Sequence, residues 1–365
     1  MNRVIVSVTN DLVTDQRVHK ICSTLSQNNY EIILIGRQFS NSKKLERKYK
    51  TYRFKLLFNK GPFFYAEYNI RLLFKILISK PSILLANDLD TLLANFLASK
   101  ILRKKLVYDS HELFTEVPEL IHRPFIQNIW LYIEKFIVPK LKNCVTVSNS
   151  ISEYYNSIYH TKFIVIRNLP FVIKKQRANS FPFKTDNQKI ILYQGAINKG
   201  RGLELMIDTM IYLEDTIFVI IGNGDIEISI KHKIAEKKLQ KKVRLIDRLE
   251  PEELKQLTPL ADIGISLEEN LGLNYKYALP NKLFDYIQAK IPILVSDLYE
   301  MKNITSKYKV GEVVENRNPE LLAKQIQKIL EKGKIAYKIQ LEIAASELNW
   351  ENESKKLIEI YNKLG

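Results

Sequence analysis

Residues 193–204 read Tyr-Gln-Gly-Ala-Ile-Asn-Lys-Gly-Arg-Gly-Leu-Glu, a strand-like run that ends in three glycines, two cations and the start of a helical pattern. Gly195, Gly200 and Gly202 let a backbone approach an anion closely, and Lys199 and Arg201 bring positive charge. The free N–H groups of the helix that follows add to that field. The spacing fits neither the Walker phosphate loop nor the G-x-G-x-x-G fingerprint, so the chemistry indicated is anion binding at a strand–loop–helix corner. A second corner of this kind lies at Pro280-Asn281-Lys282. Proline suits the first turn of a helix, which leaves the amides of Asn281, Lys282 and Leu283 unpaired, and the Lys282 ammonium strengthens the site. Asp285 comes one turn later, where a carboxylate can accept hydrogen bonds from a ribose diol or serve only as a dipole partner. Gly222-Asn223-Gly224 is a tight turn at another strand end.

The first half of the chain has its own candidates. Val107-Tyr108-Asp109-Ser110-His111-Glu112 closes a strand, with Glu116 one turn later. A histidine there is either a satisfied structural residue or a group that faces a ligand. Asn10-Asp11-Leu12-Val13-Thr14-Asp15-Gln16-Arg17 closes the first strand and opens a helix, so Asp15 reads equally as an N-cap and as a ligand contact beside Arg17. Asn87-Asp88-Leu89-Asp90 ends a further strand, and its acids read as helix caps.

These corners need strands and helices to hold them. Short apolar runs at 4–8, 31–35, 83–86, 106–108, 144–147 and 163–166 alternate with segments whose apolar residues recur at i, i+3 and i+4. The pattern restarts with runs at 189–193, 217–221, 243–246, 263–266 and 291–295. Such an order predicts two doubly wound, Rossmann-like α/β domains facing each other across a cleft, each a parallel sheet with helices on both faces. The expected division is residues 1–168, a linker at 169–188, a second domain at 189–349, and a terminal helix at 350–365 that packs on either domain.

Composition removes several classes. Of 365 residues, 46% are hydrophobic and 26% charged, which excludes disorder. Two cysteines, Cys22 and Cys144, make neither a disulfide scaffold nor a cysteine zinc site. Neither a signal peptide nor a span of about 18 uncharged apolar residues is present, so a cytoplasmic location is expected. The net charge of +16 is uneven, with 25 basic and 13 acidic residues in 1–168. That field suits an anionic partner. Residues 43–60 hold eight cations and one acid, and aromatic and apolar residues follow to Ile78, so an anionic membrane surface is an expected partner. A solvated loop beside a core-packed helix would read the same way. A nucleic-acid partner is not expected, because no recognition pattern interleaves the aromatics with the cations.

In this order, the glycine loop with Arg201, the Gly222-Asn223-Gly224 turn and the Pro280–Asp285 segment resemble the C-terminal half of GT-B glycosyltransferases, and family 4 more closely. The resemblance implies a retaining, metal-independent transfer of a sugar from a nucleoside-diphosphate sugar to a glycan or lipid-linked glycan acceptor. It implies no cofactor beyond that donor substrate, and a context in surface polysaccharide assembly. By resemblance Arg201 and Lys282 hold the diphosphate, Asp285 the ribose, and Gly195, Lys199, Gly200, Gly222, Gly224 and Asn281 complete the donor site. His111 lies by the reacting sugar, and Asp15, Arg17 and Glu112 fall on the acceptor side. The sequence departs from the family at Ala196, where an arginine is common, and at Tyr277, where a glutamate is common. A sugar-nucleotide epimerase, an inverting transferase, an inactive donor-binding subunit and a basic nucleic-acid-binding protein are the alternatives.

Overall fold

The computed structural model describes residues 2–13, 15–173, 180–183, 185 and 187–364. The expected linker at 169–188 therefore falls partly outside the described residues, at 174–179, 184 and 186. Thr14 of the first loop also falls outside.

The chain forms two compact units, residues 1–168 with 353–365, and residues 169–352. In the first, seven strands pair in the order β3-β2-β1-β4-β5-β6-β7. They are β1 (Arg3–Asp11), β2 (Glu31–Arg37), β3 (Lys50–Phe54), β4 (Ile83–Asn87), β5 (Lys105–Ser110), β6 (Asn143–Thr146) and β7 (Phe163–Val165). Every pairing is parallel. The second unit holds β8 (Lys189–Gln194), β9 (Thr216–Ile221), β10 (Val243–Ile246), β11 (Ile263–Ser266), β12 (Ile293–Val295) and β13 (Gly311–Val313). They run in the order β10-β9-β8-β11-β12-β13, again all parallel.

All eleven apolar runs are strands. The central ones are buried along their length, such as Ile191, Leu192 and Tyr193 in β8 and Phe218, Val219 and Ile220 in β9. Strands covered on both faces read as continuous apolar runs, which is why they were legible. Two strands lacked that signal. In β3, Lys50, Tyr52 and Arg53 make an edge strand within the basic stretch, where no strand was expected, and β13 has only three residues.

In each sheet the strand order reverses once, between β1 and β4 and between β8 and β11. Loops at the carboxyl ends of strands flanking such a reversal part to opposite faces and leave room for a ligand. The loops around Asp15 and Asp88 meet this description in the first unit, and those around Gly195 and Glu268 in the second.

Candidate functional site

Where β8 and β11 diverge in the second unit, backbone groups lose their ladder partners. The buried Tyr286 hydroxyl occupies the gap. It accepts from Gln194 N–H at 3.1 Å and lies 3.2 and 3.3 Å from the carbonyls of Leu192 and Ile265. Its ring packs so closely on β11 that a Cβ at Gly264 would stand 2.4 Å from Tyr286 Cγ. Gln194 then fixes the ribose candidate, since its amide donates to Asp285 Oδ2 at 3.1 Å while its carbonyl accepts from Thr258 at 2.9 Å.

The loop after β8 is held in shape by its neighbours. Gly202 has φ +73°, and a Cβ there would lie 2.2 Å from Leu267 O. Gly222 has φ +152°, and a Cβ would lie 1.9 Å from Gly195 O. Ile197 N–H donates to Asn223 O, and Asp225 N–H to Asn198 Oδ1. The Gly222–Gly224 turn is thus the support on which the glycine loop rests, which accounts for its glycines without a ligand contact of their own.

Inside this frame, Arg201 and Lys282 converge on a carboxylate that the sequence reading missed. Glu268, fully buried just beyond β11, accepts from Lys282 Nζ at 2.9 Å and from Ser266 at 2.7 Å, with Arg201 Nη1 at 3.7 Å. Burial works to raise the Glu268 carboxyl, but Lys282, Ser266 and Arg201 outweigh it and hold it below its ordinary value. Lys282 is lowered, first by its own burial, with Glu268 opposing. Its ammonium also sits 3.9 Å over the Tyr193 ring. Arg201 Nε is buried without a hydrogen-bond partner, and its guanidinium lies 5.3 Å over Tyr275. One buried anion thus faces two cations.

The other donor residues are placed less tightly. Lys199 and Asn281 are exposed, and a Cβ at Gly195 would stand 3.6 Å from Lys282 Cε. Pro280 is the N-cap of the helix Asn281–Gln288 instead of its first-turn residue, and Leu283 N–H bonds Pro280 O at 3.2 Å. No side chain caps this end. Its amides at Asn281 and Lys282 keep the dipole field, but the expected third free amide, Leu283, is already paired.

A second cluster lies at the strand ends of the first unit. His111 Nδ1 is 3.1 Å from Asp88 Oδ2, its backbone N–H bonds Asp88 Oδ1 at 2.9 Å, and Nε2 is 3.3 Å from Asp109 Oδ2 but off the line of a hydrogen bond. Burial acts to lower the imidazole, but Asp88 and Asp109 overcome it and raise it well above its ordinary value. Burial acts to raise Asp109, but Arg17 and His111 bring it down to about 2. Two carboxylates around one imidazole favour its protonated form.

Arg17 departs from its expected role. It is 4% exposed, forks onto both Asp109 oxygens at 3.1 and 2.8 Å, and donates to Ile166 O at 2.8 Å. It therefore positions Asp109 and does not face an acceptor. Asp15 is the N-cap of the helix Gln16–Gln27 and accepts from Val18 N–H at 3.0 Å. Asp88 also stands at a helix N-cap, with φ +58°, but its carboxylate caps nothing and turns to His111 instead. Glu112 is exposed on the following loop. Among the described residues no group of three or more His, Cys, Asp or Glu is placed to hold a metal ion.

Residues 15–169 match the model of Glycosyltransferase Family 4, and residues 174–344 match that of Glycosyl transferases group 1. Together they span most of the chain. No curated protein matches in sequence. Among solved structures, the chain is similar to sucrose-phosphate synthase from Thermosynechococcus elongatus, with a TM-score of 0.85 and 14% identity over 100% of this chain and 99% of that one. Anabaena HepE in complex with UDP-glucose gives 0.79 at 11% identity, covering 100% of both chains. WaaG, a glycosyltransferase involved in lipopolysaccharide biosynthesis, gives 0.71 at 14% identity over 96% of both. The chain belongs to the family 4-like glycosyltransferases of GT-B fold.

Proposed function

We propose that the chain transfers a sugar, with retention of anomeric configuration and without a metal ion, from a nucleoside-diphosphate sugar to a glycan or lipid-linked glycan acceptor. The observation that carries the donor half is the convergence of Arg201 and Lys282 on buried Glu268 at the strand reversal. As the bond between the anomeric carbon and the β-phosphate oxygen breaks, negative charge builds on the diphosphate. Stabilising it is the largest contribution open to this protein. Arg201, Lys282 and the amides at Asn281 and Lys282 are fixed cations and dipoles suited to that task. The acceptor oxygen bonds to the anomeric carbon on the face that the diphosphate leaves, and its proton passes to a departing phosphate oxygen. Asp285, steadied by Gln194, takes the ribose hydroxyls. In the first unit, His111 between Asp88 and Asp109 is the candidate for orienting a bound sugar.

Surface polysaccharide assembly at the inner face of a membrane is the setting we infer. The lipopolysaccharide role of WaaG and the bound UDP-glucose of HepE support that reading by analogy of fold. A thermal-shift panel of UDP, GDP, ADP and their sugars tests the donor site. A ligand at about 100 Kd stabilises the native state by about 2.7 kcal/mol. One base should shift the wild type and fail to shift Arg201→Ala, which should also lose about 10²–10³-fold in turnover. No shift with any nucleotide would overturn the proposal, and inverted product anomericity would overturn the retaining mechanism.

A further inference from the structure

The helix Pro62–Ser79 buries Phe64, Tyr68, Leu72 and Ile76, so the opposite stripe should be polar in an ordinary surface helix. It holds Phe63, Ile70, Phe74 and Ile78 instead, at i, i+4 steps after the first, with Phe74 64% and Ile78 72% exposed. The helix Leu89–Leu102 packs beside it and repeats the pattern with exposed Leu93, Leu97 and Ile101. The helix Pro124–Ile137 comes next, with Phe125 78% exposed and Ile129 and Phe136 also outward. An edge-on contact of Phe96 with Phe136 at 6.5 Å joins the last two. Single exposed apolar residues are ordinary, but three neighbouring helices that all present an apolar outer stripe form an interaction surface.

The exposed charges that these helices carry have one sign. Arg71, Lys75, Lys100, Lys135 and Lys140 lie on or at the ends of these helices, with Lys140 3.1 Å over the Phe136 ring. None of the three helices carries an exposed carboxylate. Asp90 and Glu134 are buried, while Glu67 accepts from the Leu57 and Phe58 amides and pairs with Arg71. Among the described residues no helix is long and apolar enough to cross a membrane.

We propose that this three-helix face of the first unit docks on the surface of an anionic lipid membrane, its apolar side chains entering the acyl boundary while its cations meet the headgroups. The inference rests on the membrane setting proposed above and names the surface that serves it. An apolar stripe with lysine and arginine at its margin matches the interface of an anionic bilayer. A second copy of the chain is the poorer occupant, because a symmetric pairing sets these cations against their own equivalents.

Flotation of the full chain with phosphatidylglycerol-containing or pure phosphatidylcholine vesicles tests this. Wild type should float with the anionic vesicles, and less so at high salt. Phe74→Glu/Ile78→Glu and, separately, Phe125→Glu should lower the bound fraction by about tenfold or more. These side chains are exposed, so each variant should keep the nucleotide-induced thermal shift of wild type. Absence of wild-type flotation, or equal flotation of the variants, overturns the proposal. So does a concentration-dependent dimer in sedimentation that the same variants dissolve. A nucleotide shift without flotation rejects the membrane face and keeps the transferase, whereas flotation that needs these residues without any nucleotide shift does the converse.

Discussion

Glu268 lies between Lys282 and Arg201 with no exposure, and a buried charge of this kind persists only while its partners remain. Glu268→Gln leaves two cations facing each other without their anion, and breaking such a pair costs about 3–5 kcal/mol. A diphosphate bound there would restore the missing negative charge. The expected outcome is therefore a lower thermal midpoint for Glu268→Gln and a larger shift with the active nucleoside diphosphate than wild type shows. A shift no larger than wild type would mean that Arg201 and Lys282 do not meet the donor. Asp90 allows a test by pH. It is buried, accepts from Thr9, and has Oδ1 without a partner. Burial first, and Asp88 second, push it up to about 7. The unfolded side chain titrates near 3.9, so folding favours the protonated form and this residue's contribution declines as pH rises from about 4 through 7. Asp90→Asn should gain on wild type across that window by about 4 kcal/mol at most, read from urea unfolding at pH 5 and pH 8. An equal difference at the two pH values would show that Asp90 is ionised throughout.

The donor loop depends on close backbone approaches between separate segments, and glycine substitutions measure them. An alanine at Gly222 would drive its Cβ into Gly195 O at 1.9 Å, whereas at Gly333, with φ +65°, the nearest atom is Leu330 O at 4.0 Å. Gly333→Ala should cost only the left-handed backbone penalty of about 1–2 kcal/mol and keep the nucleotide shift. Gly222→Ala should cost more and abolish the shift, because the loop before Arg201 has to move. Equal effects would show that the approach is not what positions the loop. This contrast also marks what the sequence made legible. The glycines, cations and alternating apolar runs are local signals, so eleven strands and the anion-binding corners could be read directly. Glu268, Tyr286 and Gln194 could not, because their roles depend on β11 lying beside β8 although about 70 residues separate them. The one available signal was an acid two residues past a buried strand. Arg17 was misplaced for the same reason, since its partner Asp109 is 92 positions away.

The chain leaves its first unit after Asn168 and returns to it at Glu353. The returning segment is part of that unit's core: Leu357 and Tyr361 are buried, and Tyr361 packs edge-on to Tyr30 at 5.7 Å. Glu353 accepts from the Arg167 amide at 2.9 Å, and Lys105 donates to Leu364 O at 2.7 Å. Leu357, Ile360 and Tyr361 at about 1.5–3 kcal/mol each give roughly 4–9 kcal/mol of burial, an upper estimate because the unfolded chain already hides part of that surface. A single domain's whole stability is about 5–15 kcal/mol. Deletion of residues 353–365 should therefore bring the first unit close to unfolding at ordinary temperature. Every donor-site residue belongs to the second unit, which would retain its own sheet and core. Calorimetry should then show an early transition insensitive to nucleotide and a later one that nucleoside diphosphate still raises. If the truncated chain instead unfolds in one step that nucleotide shifts as a whole, the units are thermodynamically coupled, and the terminal segment stabilises both.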